Sequence, residues 1–225
     1  MPALSARAQD ALKLTANLSM VADHANRSLN PFPLEFPGLL LAWFGRLAFP
    51  LFCLLIAHNL AVRRVPWQRY VTPLLIAGLL SQWPFQELIA PQTFNIMFTL
   101  LLGVLAHAAN EALDQKFFKG AGLFAVMFAS FIGLSCDYPL FGYALIPLAV
   151  MLMRGGNLLA WVPFLAIAYL TNILSGMPWV VLLVPVVVFA ASRLEGGRFL
   201  RLPYLGYWFY PLHLMVILAV RAVLR

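Results

Sequence analysis

The chain has 225 residues, of which 63% are hydrophobic and only 10% charged. A soluble domain carries about a quarter of its residues as Asp, Glu, Lys or Arg, so too few charges remain here to clothe a water-facing surface, and a bilayer is the natural solvent. The net charge of +7 does not point to nucleic acid, because the basic residues sit in short gaps between apolar runs and form no stripe.

The N-terminal segment, MPALSARAQDALKLTANLSMVADHA, has no uninterrupted apolar core and no small-residue cleavage site. It reads as a retained, partly polar first helix rather than a leader. A helical span needs about 20 apolar residues. Apolar runs punctuated by Pro, Gly or charge then predict spans over 11–26, 38–61, 70–89, 95–113, 119–135, 139–153, 157–174, 177–192 and 204–223. The first and the sixth are short enough to be tilted or re-entrant. The expected fold is an all-α polytopic transmembrane bundle of about 8–10 spans, one membrane-embedded domain over residues 1–225. The longest gap, RSLNPFPLEFP over 27–37, holds three prolines and predicts a rigid, extended connection.

Basic residues alternate with this count. Arg7 and Lys13 lie at the start, Arg63, Arg64 and Arg69 after the second run, and Lys116 and Lys119 after the fourth. Arg154 follows the sixth, and Arg193, Arg198 and Arg201 follow the eighth. The other gaps hold Arg27 and the acids Glu35, Glu87 and Asp137. Basic gaps face the cytoplasm, which predicts a multi-pass protein of a bacterial inner membrane with the acid-bearing gaps outside. The C-terminus then falls outside too, where Arg221 and Arg225 fit the rule poorly.

Polar residues inside apolar runs are expensive, so each is a candidate for function. Asp23 and His24 end the first run: either an acid–imidazole pair or an interfacial cap. Arg46 lies eight residues into the second, and at that depth a cation needs a partner, Asp23 or a bound anion. Gly45 allows close backbone approach there, and Pro50 predicts a kink one turn later. Asn95 and Thr99 share one helix face at i and i+4, lining a polar cleft or bonding a neighbouring helix. Asp137 and Tyr138 sit in an outer gap, as site residues or as a loop cap. Tyr210, Pro211 and His213 fall in the last run, where His213 is a second imidazole base or a satisfied core histidine. His58 and His107, near helix ends, read as structural. Cys53 and Cys136 form no CxxC pair and read as packing. No phosphate loop, zinc-protease motif or nucleophile elbow occurs, and no metal site is expected.

The order DH, GRLAFPLF, SQWPFQ, NIMFTLLLG, DYPLFGY and YWFYPLHL looks like the TraX family, over nearly the whole chain from about Leu12. That family is known for the acetylase that modifies the N-terminus of F-type conjugative pilin, and it is similar to membrane acyltransferases that use acyl-CoA. The resemblance implies acetyl transfer from acetyl-CoA to an amine or hydroxyl on the outer side, on a pilin or another cell-envelope molecule, with membrane lipid as surroundings and no nucleic acid partner. The positions it carries over are Asp23, His24, Arg46, Pro50, Pro84, Asn95, Thr99, Asp137, Tyr138, Tyr210, Pro211 and His213. His24 is then the expected general base, with His213 as the second choice. Asp23 would orient the imidazole or pair with Arg46. Arg46 would neutralise a CoA phosphate or an acidic acceptor, and Asn95, Thr99 and Tyr210 would donate to the oxyanion. One departure stands out: acids usual in the family around Pro84 are replaced here by the amides Gln82 and Gln86. A small-molecule transporter or an assembly scaffold would use the same buried polar residues without covalent chemistry.

Overall fold

A computed structural model of the chain describes residues 4–113, 135–138, 141–155, 158–173, 176–199 and 205–224. The expected span over 119–135 falls almost wholly outside the described residues, as do Lys116, Lys119 and Arg201. What is described is all-α, with one isolated bridge pairing Phe94 with Cys136 and no strand. The α-helices are α1 (Ala6–Leu29), α2 (Gly38–Gly45), α3 (Ala48–Ala61), α4 (Gln68–Leu88), α5 (Ile96–Leu113), α6 (Leu145–Gly155), α7 (Trp161–Asn172), α8 (Val184–Ser192) and α9 (Leu205–Leu224).

Among the described residues, two helical stretches are long and apolar enough to cross a membrane, Gly38–Ala61 and Tyr207–Leu224. The expected runs that the described residues cover thus give two candidate spans by length and composition. Prolines account for part of the difference. Pro147, Pro163, Pro178 and Pro185 stand near the starts of short helices, where a missing N–H is tolerated. The resulting stretches Gly142–Gly155, Leu158–Asn172 and Pro178–Ser192 are apolar but short, reaching only about 20–23 Å against a hydrocarbon core of about 30 Å.

α1 is long enough but patterned inside out. Its buried residues include Asp10, Asn17, Ser19, Asp23, His24 and Asn26, while Leu14 and Leu18 are exposed. A helix that turns a polar stripe inward sits where polar partners wait, and α1 packs against α2, α3 and α9. The Ser5 hydroxyl caps it by accepting the Ala8 N–H at 3.0 Å.

The second run is broken at Arg46–Leu47, one turn before Pro50, where the sequence predicts the kink. A proline ring clashes with the carbonyl four residues before it and offers that carbonyl no N–H. For Pro50 that carbonyl belongs to Arg46. The Arg46 and Leu47 N–H groups instead make short-range bonds to the Trp43 and Phe44 carbonyls, at 3.1 Å each. The 30–37 connection is also not extended. Asn26 Nδ2 donates to the carbonyls of Pro33 and Gly38, and Asn30 Nδ2 to Asn26 Oδ1, which gathers the segment into tight turns.

The two ends of the bundle differ. At one, Ser5 and Arg7 bond the backbone at Leu194 and Gly196, the Leu4 N–H donates to His58 Nε2, and Arg198 reaches Asp10. At the other, Arg221 Nη1 donates to the Glu87 carbonyl at 3.0 Å. A cation on the negative end of α4 is well placed, so Arg221 has a local reason to stand where the charge rule disfavours it.

Candidate active site

Seven of the nine candidate site residues converge near the end of α1. Gly45 makes this possible: a Cβ there would run into the Asp23 side chain, so only glycine lets α2 approach α1 so closely. Arg46 Nη2 then meets Asp23 Oδ1 at 2.6 Å, while Arg27 Nε meets Asp23 Oδ2 at 3.1 Å. The buried cation has the carboxylate that its depth requires. Asp23 is occupied on both oxygens by guanidinium groups, and no hydrogen bond to His24 is among its contacts. Arg46, so committed, sits at the α2–α3 break beside the Asp23 end of α1.

His24 finds another partner. Its Nδ1 lies 2.8 Å from Nε2 of His213 on α9. The ring centroids are 5.1 Å apart with planes at 11°. That spacing suits coplanar rings joined end to end, since face-to-face rings would close to van der Waals contact at about 3.5–4.0 Å. His213 Nδ1 in turn lies 3.0 Å from the Phe209 carbonyl oxygen. A carbonyl only accepts, so Nδ1 of His213 carries the proton. In the neutral pair His213 Nε2 must then be the acceptor, and His24 Nδ1 the donor. His24 Nε2 is left with its lone pair unspent.

The Tyr210 ring stands edge-on to both imidazoles, with centroids 6.1 Å from His24 and 5.3 Å from His213. Its buried hydroxyl lies near the Ile96 backbone without a well-aligned partner among the described residues. Asp137 and Tyr138 come from the outer gap, strapped onto α5: the Asp137 N–H donates to the Phe94 carbonyl, and Thr99 Oγ1 donates to the Asp137 carbonyl at 2.5 Å. Tyr138 takes a left-handed backbone with φ 59° and stacks on Phe49 at 4.3 Å. Burial pushes its phenol up to about 12, so it remains a donor at neutral pH. Burial also raises the Asp137 carboxyl, opposed by Arg27 and Arg46. Asp23, His24, Arg27, Asp137 and Tyr138 line a cavity of about 20 Å³, room for one water-sized group.

The model of the family described as TraX protein matches residues 8–221. The chain belongs to the TraX family. Membership fits the pilin-related role in conjugation that the resemblance implies. No curated protein and no solved structure matches this TraX chain.

Two expected oxyanion donors are spent elsewhere. Asn95 Nδ2 donates to the Gly78 carbonyl, Ser81 Oγ and Gln82 Oε1, and its Oδ1 accepts the Met97 N–H. It clamps α4 to α5. Thr99 holds the Asp137 backbone, so it shapes the site from behind. Sequence reading missed Arg27, which i+4 spacing from Asp23 could have revealed, and the Phe209 carbonyl, for which no signal existed.

The amide at position 82 has a structural reason. Gln82 Oε1 accepts from the Asn95 backbone and side chain, while Nε2 donates to the Thr93 carbonyl at 2.8 Å. A carboxylate could accept but not donate. Gln82→Glu should therefore destabilise this TraX chain by about 1–3 kcal/mol, read as a lower melting temperature in detergent. An unchanged melting temperature would refute the clamp.

Proposed function

We propose that this chain is a multi-pass acetyltransferase of a bacterial inner membrane. It moves an acetyl group from acetyl-CoA to an amine or hydroxyl, on a pilin N-terminus or another envelope molecule. The observation that carries the reading is the directional chain from the Phe209 carbonyl through His213 to His24, which leaves one imidazole nitrogen basic in a buried, charge-balanced site.

His24 Nε2 takes the proton from the acceptor as its nitrogen or oxygen attacks the thioester carbonyl. The carbon–sulfur bond then breaks, and the CoA sulfur leaves with that proton. In between, positive charge on His24 is shared with His213 through their hydrogen bond and steadied by the Phe209 carbonyl. Tyr210 and Tyr138 are the donors left to meet the oxyanion. Asp23, held by Arg27 and Arg46, fixes α1 against the α2–α3 break and thereby positions His24. Acetyl transfer from radiolabelled acetyl-CoA by the purified chain in detergent tests the reading. No transfer to any amine or hydroxyl acceptor, and no acetyl-CoA hydrolysis, would overturn it.

The multi-pass part rests on surface chemistry. Leu75, Ile76, Leu79, Leu80 and Trp83 expose one apolar face of α4, and Leu212, Met215, Val216 and Val223 do so on α9. Water would not tolerate such continuous faces on a monomer, whereas lipid would. Short helices can cross as a group where the bilayer thins around them. Cysteine-accessibility labelling should place position 64 in the cytoplasm and position 87 outside. Outside labelling at 64 would reverse the orientation and the side assigned to His24.

A further inference from the structure

An apolar cavity of about 360 Å³ lies between α1, α3, α4, α5 and α9. That is a volume typical of small-ligand sites. Leu55, Ile56, Leu74, Met97 and Leu100 form its walls. At the basic end it is bordered by Lys13 and Arg69. Asp10 lines it too, but this carboxylate is engaged by the Phe199 N–H, Arg198 and Lys13. The mouth is therefore net positive. At the inner end the cavity meets Phe52 and Phe209. Phe52 also walls the small cavity at His24, and Phe209 is the residue bonded to His213.

One buried side chain in this cavity is unsatisfied. Asn17, only 8% exposed, has an Oδ1 with no hydrogen-bond partner among the described residues, whereas Asn59, nearer the mouth, pairs with the Tyr70 side chain. A buried amide oxygen without a donor costs about 1–3 kcal/mol. An apolar tunnel with an orphan acceptor along it and cations at its entrance suits a slender ligand of methylenes, amide N–H groups and a phosphate end.

We propose that this cavity binds the phosphopantetheine arm of the acetyl donor, with Asn17 Oδ1 accepting an amide N–H of the arm and Lys13 and Arg69 meeting its phosphates. This rests on the acetyl-transfer reading and gives that reading a route across the bundle. The lengths agree. Asn17 and His24 are seven residues apart on one helix, about 10 Å along its axis. From the outer amide nitrogen of such an arm to the thioester carbon runs a chain of eight bonds, about 9 Å when extended. An arm anchored at Asn17 thus ends at His24 once the Phe52 ring yields.

Binding, not turnover, tests the assignment. The purified full chain is titrated by calorimetry with CoA, pantetheine and adenosine 3′,5′-bisphosphate. Asn17→Leu should weaken CoA and pantetheine at least about tenfold and leave the bisphosphate unchanged. Asn17→Asp keeps an acceptor and should lose less than Asn17→Leu. Lys13→Ala with Arg69→Ala should weaken CoA and the bisphosphate but spare pantetheine. If Asn17→Leu does not fold, the measurement moves to Leu14→Cys in the otherwise native chain. S-Ethyl-CoA, a thioether with no free thiol to consume the reagent, should then slow maleimide labelling of this wall residue, and equal rates with and without it would overturn the proposal. Unchanged CoA affinity in folded Asn17→Leu would also overturn it, as would a co-purified lipid that CoA does not displace. In either case the acetyl-transfer reading survives if transfer persists. Absence of both CoA binding and acetyl transfer in the native chain would end both.

Discussion

His24→Ala should lower acetyl transfer by about 10²–10⁴-fold, the usual worth of a general base, while the chain still folds and inserts. His24→Gln should not recover the loss, because an amide cannot take up a proton at neutral pH. The His213 variants should behave differently. His213→Ala removes the acceptor for His24 Nδ1–H and lets the ring choose the wrong tautomer. His213→Gln can place an amide oxygen near where Nε2 now sits, 2.8 Å from His24, and should restore part of the rate. The native rate should also fall as the pH drops and His24 becomes protonated before the acceptor arrives. The opposite pattern, with His24→Gln active and both His213 variants dead, would make His213 the base. Full turnover in both alanine variants and in their double would remove both from the chemistry.

Asp23→Ala should be the most damaging change to stability, costing about 3–5 kcal/mol, because it strands a buried guanidinium. Arg46 has one carboxylate partner among the described residues, and that is Asp23. Asp23 has two cations, Arg46 and Arg27. Arg46→Ala should therefore be milder, since Arg27 still balances the acid. Replacing both, as Asp23→Leu with Arg46→Met, should recover much of the loss by removing charge from both sides at once. Thermal unfolding of the four proteins in one detergent reads the series. Equal melting temperatures for the native chain and Asp23→Ala would mean that the ion pair seen at 2.6 Å does not hold the helices.

How far the sequence could be read depended on whether a residue's partner was dictated by physics or by topology. Arg46 was legible, because a cation eight residues into an apolar run must find an anion. His24 was legible as a buried polar residue that needs a partner, but the partner itself was not. The adjacent acid suggested Asp23, yet neighbours on a helix point about 100° apart, and the actual partner lies 189 residues away on the last helix. Asn95 and Thr99 left two readings open, a polar cleft or bonds to a neighbouring helix, and Asn95 takes the second. Their shared face was correctly read as polar, but nothing in their spacing told that their hydrogens were already spent on Gly78, Gln82 and Asp137. The position of the helix break was legible in principle, since a proline acts on the residue four before it. The inward polar stripe of α1 was spread too thinly through the sequence to stand out from an ordinary amphipathic helix.

That stripe also bears on how the chain is built at the ribosome. A segment entering the bilayer alone pays about 2.5–3.5 kcal/mol for each Asp, Lys or Arg near its centre. α1 carries Asp10, Lys13 and Asp23 in its buried or half-buried length, and its own leucines cannot offset them. The apolar stretch Gly38–Ala61 has no such difficulty. On the proposed membrane reading, α1 is therefore among the last of these helices that can settle. On that reading it waits at the surface until Arg46, arriving after α2, neutralises Asp23 and draws it in, and it stays provisional until α9 brings His213 to His24.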